Sequence, residues 1–187
     1  QFVLVAGSTR PGEEKILLKL VKKLNHKSLI LIIVPRHPER FIEVEKIFQE
    51  QNLKIIRKSK LGDLKTAPAY ILGDTMGDLY EIYGIANLAI IGGSILDHGG
   101  QNLIEPMSLN IQTAVGPSIY NFKDMVSDAE KSKAIFRFKD EAELERIIKN
   151  LLVKGQINQN ILRNAQQYIK NSSGGTNKVI QLVNQYL

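Results

Sequence analysis

The chain contains no cysteine, which excludes disulfides and thiolate metal sites and is compatible with a reducing compartment. Its three histidines, His26, His37 and His98, stand far apart in sequence and argue against a zinc site. No apolar run approaches the roughly 20 residues that a membrane-spanning helix needs. The run at 29–34 has the length of a strand. No signal-peptide pattern is visible, and no initiator methionine precedes Gln1. The chain opens directly on a strand-like run, as expected of a domain excised from a longer protein.

Acidic charge is in relative deficit, with 25 Lys and Arg against 19 Asp and Glu, a net charge of +6. Residues 10–27 carry Arg10, Lys15, Lys19, Lys22, Lys23 and Lys27 against Glu13 and Glu14, and residues 154–187 carry four basic residues and no acid. Such a surface suits an anionic membrane or nucleic acid, or is simply a solvated face. The six Phe and six Tyr do not interleave with a basic patch, which ranks a nucleic-acid module low. At 187 residues and 43% hydrophobic content the chain suffices for one soluble domain with a sizeable core.

Strand-like runs at 2–6, 29–34, 54–57, 69–72, 88–91, 112–115 and 134–138 are short, continuous and rich in Ile, Leu and Val, as expected of parallel strands covered on both faces. Helical apolar stripes lie between them, at Ile16 to Leu24, Phe41 to Phe48 and Leu144 to Leu152. Two more, at Ile161 to Ile169 and Val179 to Leu187, form a tail (154–187) that packs on the domain, with Ser172-Ser173-Gly174-Gly175 between them. The alternation predicts a single α/β domain over 1–187, a doubly wound parallel sheet with right-handed crossovers and C-terminal helices. In such sheets ligands bind beyond the carboxyl ends of the strands, which directs attention to four loops.

The richest is Gly92-Gly93-Ser94-Ile95-Leu96-Asp97-His98-Gly99-Gly100-Gln101-Asn102-Leu103-Ile104-Glu105-Pro106. Two glycine pairs between a strand and a helix let backbone amides approach a phosphate, while Asn102 and Glu105 share one helical face suited to a ribose. The same pair matches a capping box. Pro106 opposes that register, because at the fourth helical position it lacks the amide that bonds the cap carbonyl; a helix starting near Ile104 tolerates the proline and leaves Asn102 free. His98 would bond a phosphate or a carboxylate, or fix the loop through a backbone carbonyl.

After the first strand, Ser8 or Thr9 would cap the next helix or touch a phosphate or sugar. After the second, Pro35 and Pro38 stiffen a turn in which Arg36 would stack on a base, pair a phosphate, or pair Glu39. After the fourth, Asp74 or Thr75 would cap a helix, and Met76-Gly77-Asp78 would bring bare backbone to a ligand edge.

The long motif at 92–106, with Pro35-Arg36-His37-Pro38-Glu39-Arg40 and Gly73-Asp74-Thr75-Met76-Gly77-Asp78-Leu79, closely resembles the C-terminal domain of the bacterial 3-deoxy-D-manno-octulosonic acid (Kdo) transferases. The segments 8–14, 116–117 and 121–122 resemble that family too. The resemblance implies the C-terminal, Rossmann-like half of a GT-B fold. It implies a metal-independent, inverting transfer of Kdo from CMP-Kdo to lipid A precursor at the cytoplasmic face of the inner membrane, with no cofactor. It places CMP against Pro35, Arg36, Met76, Gly77, Asp78 and the segment Asn102, Leu103, Ile104 and Glu105. Glu105 would accept from the ribose hydroxyls, and Asn102, Ser94 and amides such as that of Gly93 would face the phosphate. Ser8, Thr9 and His98 are further candidate donor contacts. The family usually has Glu where this chain has Asp78. Its general base lies in the other domain, so no catalytic base is assigned here, and the domain alone is expected to bind CMP and transfer nothing. A UDP-sugar-dependent GT-B transferase or epimerase is the alternative.

Overall fold

A computed structural model describes residues 1–62, 68–154 and 157–172. Seven strands form one sheet: β1 (Phe2–Thr9), β2 (Leu29–Pro35), β3 (Ile56–Arg57), β4 (Tyr70–Leu72), β5 (Leu88–Ile91), β6 (Gln112–Val115) and β7 (Phe136–Arg137). Every pairing is parallel, in the order β3-β4-β2-β1-β5-β6-β7. All seven strand-like runs are strands, two of them trimmed to a residue pair at the sheet edges. β2 is buried along its whole length, the expected consequence of an unbroken Leu/Ile/Val run covered on both faces.

The helices are α1 (Glu13–Leu24), α2 (Phe41–Gln49), α3 (Leu79–Gly84), α4 (Ile104–Ser108), α5 (Lys123–Lys131), α6 (Glu141–Lys154) and α7 (Gln159–Ser172). One core joins Leu17, Leu20 and Val21 of α1 to Val44 and Phe48 of α2, Leu144 and Ile148 of α6, and the inward residues of β1 and β2. On the opposite face Ile82 and Tyr83 of α3 pack on Val5, Ile32 and Val34. Leu103 and Met107 beside α4 meet Val126 of α5 and Ala165 of α7 there. Helices therefore cover both faces, with α7 packed beside α4 and α5. The predicted helix at Val179 to Leu187 lies outside the described residues. α5 escaped the periodicity because its apolar face holds little beyond Met125, Val126 and Ala129.

The chain runs from β1 to β2, out to the sheet edge at β3 and back one place to β4, then crosses to put β5 on the other side of β1. The strand order reverses between β1 and β5, and at such a point the loops diverge to leave a crevice at the carboxyl edge. Glycines let the two strand ends meet: Gly92 donates to the Gly7 carbonyl at 2.8 Å, and a Cβ on Gly92 would lie 2.2 Å from the Ser8 carbonyl oxygen.

Candidate functional site

Beside the switch point a cleft of about 500 Å³ opens at the carboxyl ends of β1, β2 and β4. Ser8, Pro35, Arg36, Thr75, Met76, Gly77, Tyr80 and Glu105 line it. Three loops far apart in sequence thus converge with the first turn of α4.

Each wall has a local cause. Ser8 sits at a bulge in β1, where the register skips between Gly7 and Thr9, and its φ of 56° lies in the left-handed region. A non-glycine residue held there is strained, and bulges of this kind re-aim side chains at sites. Pro35 ends β2, and the Arg36 amide donates to the Thr9 carbonyl at 3.0 Å. The Arg36 side chain is exposed and has no ion pair among the described residues; the expected alternative partner, Glu39, faces His37 at 3.9 Å instead. Gly77 has φ 89° with open space where a Cβ would be, so the backbone beside exposed Met76 is bare. Asp78 is committed: its carboxylate accepts from Lys58 Nζ at 2.5 Å and from the Thr75 hydroxyl, and these two bonds hold it below the ordinary carboxylate range. Asp74 accepts from the Ser59 amide and hydroxyl, at 2.9 and 2.7 Å, instead of capping α3, whose first turn has no side-chain cap.

The glycine-rich loop does not present its amides to an outside phosphate. The carboxylate of Glu13, buried at the start of α1, already fills that position. Its Oε2 accepts from the amides of Arg10 at 2.9 Å and Gly93 at 2.8 Å, and its Oε1 from those of Ile95 at 2.9 Å and Leu96 at 3.4 Å. Burial pushes the Glu13 carboxyl up from its ordinary value, against the opposing pull of these four amides. Gly93 is therefore occupied. Ser94 is fully buried, donates to the Ile91 carbonyl at 2.5 Å and accepts from the Gly116 amide at 2.8 Å, so it pins two loops together. Thr9 is likewise buried and donates to Glu14 at 2.7 Å, and α1 has Gly12 at its N-cap, with no side-chain cap from Ser8 or Thr9. Behind Thr9, Glu14 and Arg40 form a buried ion pair at 2.6 Å.

α4 starts at Ile104, which places Pro106 in its first turn as the proline predicts. Asn102 is not left free: it accepts from the Ile104 amide at 3.0 Å and donates to Glu105 at 3.2 Å. Leu103 is buried in the core and does not line the cleft. His98 takes the last of its three alternatives, with Nε2 3.2 Å from the Pro11 carbonyl.

Two residues beside this site were not among the candidate ligands. Tyr83 is buried beneath it, with its phenol pushed up by burial and further by the charge of Glu105. Arg10 donates through Nη1 to Nε2 of His37 across the β1 and β2 ends. Clusters of three or more His, Asp or Glu able to hold a metal are absent among the described residues, and no described helix is long and apolar enough to cross a membrane.

No protein-family model matches the chain. It is 30% identical to the 3-deoxy-D-manno-octulosonic acid transferase of Haemophilus influenzae over 99% of this chain and 44% of that protein. The enzyme of the same description from Aquifex aeolicus is 37% identical over 82% of this chain and 43% of its own length. The chain thus spans less than half the length of these relatives. The crystal structure of the C-terminal CMP-Kdo binding domain of WaaA from Acinetobacter baumannii superposes with a TM-score of 0.84 at 31% identity, covering 90% of this chain and 89% of that one. The lipopolysaccharide glycosyltransferase WaaG shares the fold alone, at 16% identity and a TM-score of 0.55. With the all-parallel, doubly wound sheet of the C-terminal half of a GT-B fold and this likeness over nearly its full length, the chain belongs to the 3-deoxy-D-manno-octulosonic acid transferase family.

Proposed function

We propose that this chain binds the nucleotide of CMP-Kdo. In the whole protein it would be the donor half of a metal-independent, inverting transferase that moves Kdo to lipid A precursor at the cytoplasmic face of the inner membrane. The observation that carries the reading is the cleft: an unpaired cation at Arg36, a bare backbone edge at Met76 and Gly77, and a carboxylate at Glu105 meet around one space. The base would lie along the 76–78 backbone, which offers N–H and C=O groups; the commitment of Asp78 to Lys58 supports a backbone role there. Glu105, oriented by Asn102, would accept from the ribose hydroxyls. Arg36, with the backbone of the segment from Asn102 to Glu105, would stabilise the phosphate. CMP leaves as an anion, and preoriented donors act where its charge develops. No residue of this chain is assigned as general base.

The basic face of α1 is a weaker element of the membrane proposal, since Lys19 and Lys23 pair with Glu141 and Glu145 and Lys22 bonds Gln51. Calorimetric titration with CMP, UMP and UDP tests the nucleotide assignment. CMP is expected to bind most tightly, and Glu105→Ala and Arg36→Ala to weaken it about tenfold or more, one charge-assisted hydrogen bond each. Tighter UDP binding, or CMP binding indifferent to Glu105, overturns it.

A further inference from the structure

We infer that Arg10 is the residue that recognises the carboxylate of the donor's acidic sugar, at a subsite beside the nucleotide cleft; this rests on the CMP-Kdo reading above. Thr9 and Pro35 are register partners in the parallel pair β1 and β2, so Arg10 and Arg36 follow side by side at the carboxyl edge. Adjacent strands lie about 5 Å apart, so two like charges start from neighbouring positions on that edge. Yet neither has an acidic partner among the described residues, whereas Arg40, Arg57 and Arg137 pair with Glu14, Glu45 and Glu130. The acids close by in sequence are engaged elsewhere: Glu13 takes backbone amides, Glu14 takes Arg40, and Glu39 lies 3.9 Å from His37 Nδ1.

The Arg10 side chain is nonetheless held in place. Nη1 donates to His37 Nε2, and Cγ lies against Gly93, 3.5 Å from where a Cβ would stand. Nε is buried without a hydrogen-bond partner. A positioned guanidinium whose partner is an imidazole and not a carboxylate, next to a second cation without an acidic partner among the described residues, fits a ligand that brings two anionic groups. An activated ulosonic acid is such a ligand, because its carboxylate and its phosphate oxygen share one carbon. Arg36 lines the cleft and Arg10 does not, so the phosphate falls to Arg36 and the carboxylate to Arg10, one step toward β5. Ordinary nucleotide sugars lack that carboxylate, so Arg10 would set donor specificity without contacting the base.

The test compares two probes of equal phosphodiester charge, CMP-Kdo and the methyl ester of CMP, titrated into the parent chain, Arg10→Ala, Arg10→Lys and Arg36→Ala. Arg10→Ala is expected to weaken CMP-Kdo by about tenfold or more while barely changing the methyl ester, since a charge-assisted bond of this kind carries about that factor. Arg10→Lys should recover part of the loss, and Arg36→Ala should weaken both probes. Equal weakening of both probes by Arg10→Ala makes it a phosphate ligand or a structural residue and overturns the proposal, as does no effect on either. If the parent binds neither cytidine probe, the CMP reading itself falls, a result separate from any effect of Arg10.

Discussion

Replacing Glu13 by Ala removes an internal anion on which the glycine-rich loop is built. Three amides, those of Arg10, Gly93 and Ile95, donate to its carboxylate at 2.8–2.9 Å, and Leu96 approaches at 3.4 Å. The side chain is fully buried, so alanine leaves these donors facing a small cavity. An orphaned buried donor costs about 1–3 kcal/mol; with three close bonds, and some water entering the cavity, roughly 3–6 kcal/mol is expected. For a domain of this size that lowers the melting temperature by roughly 6–24 °C. Calorimetry or circular dichroism gives the shift, and amide hydrogen exchange should show the Gly93 and Ile95 amides losing protection. The effect also has a pH signature. The folded value of Glu13 is raised, so the stability it contributes is fully present below the unfolded carboxyl value and lost as pH rises through the folded one. The gap between parent and variant should therefore narrow with rising pH across that window. A variant within about 1 kcal/mol of the parent, with Gly93 and Ile95 still protected, would show that the loop does not depend on this carboxylate.

Ser94→Ala removes a buried hydroxyl that satisfies the Gly116 amide, so it should lower stability by about 1–3 kcal/mol in urea unfolding while CMP affinity stays within about twofold. A large affinity loss at unchanged stability would restore Ser94 to the ligand. Gly7→Ala would set a Cβ 1.9 Å from the Tyr83 hydroxyl, itself buried, and should destabilise by about 1–3 kcal/mol or more. Tyr83→Phe removes the closest atom of that clash. The double variant should then be more stable than the two single losses add up to, by about 1 kcal/mol; strict additivity would mean that the chain relaxes around the new methyl group.

The fold was legible because its signal is local. Unbroken Ile, Leu and Val runs at strand length, separated by helical stripes, leave few alternatives to a parallel sheet, and Pro106 alone set the start of α4 at Ile104. The cleft was legible to the extent that the strand ends had to converge, which brought Ser8, Pro35, Arg36, Met76, Gly77 and Glu105 to one place. What stayed hidden is pairing between distant residues. Two glycine pairs opening a helix do signal amides gathered around an anion, but the pattern is silent on whether that anion is a ligand or the protein's own. Here it is Glu13, 80 residues before Gly93 in the chain. Glu13 and Glu14 look like ordinary first-turn acids of α1, and nothing in the sequence shows that both are buried, one under the loop and the other against Arg40. Under the CMP-Kdo proposal, the donor's phosphate would then sit on the β2 side of the switch point, away from the glycine loop. Arg10 and Arg36, side by side at that edge, have no acidic partner among the described residues.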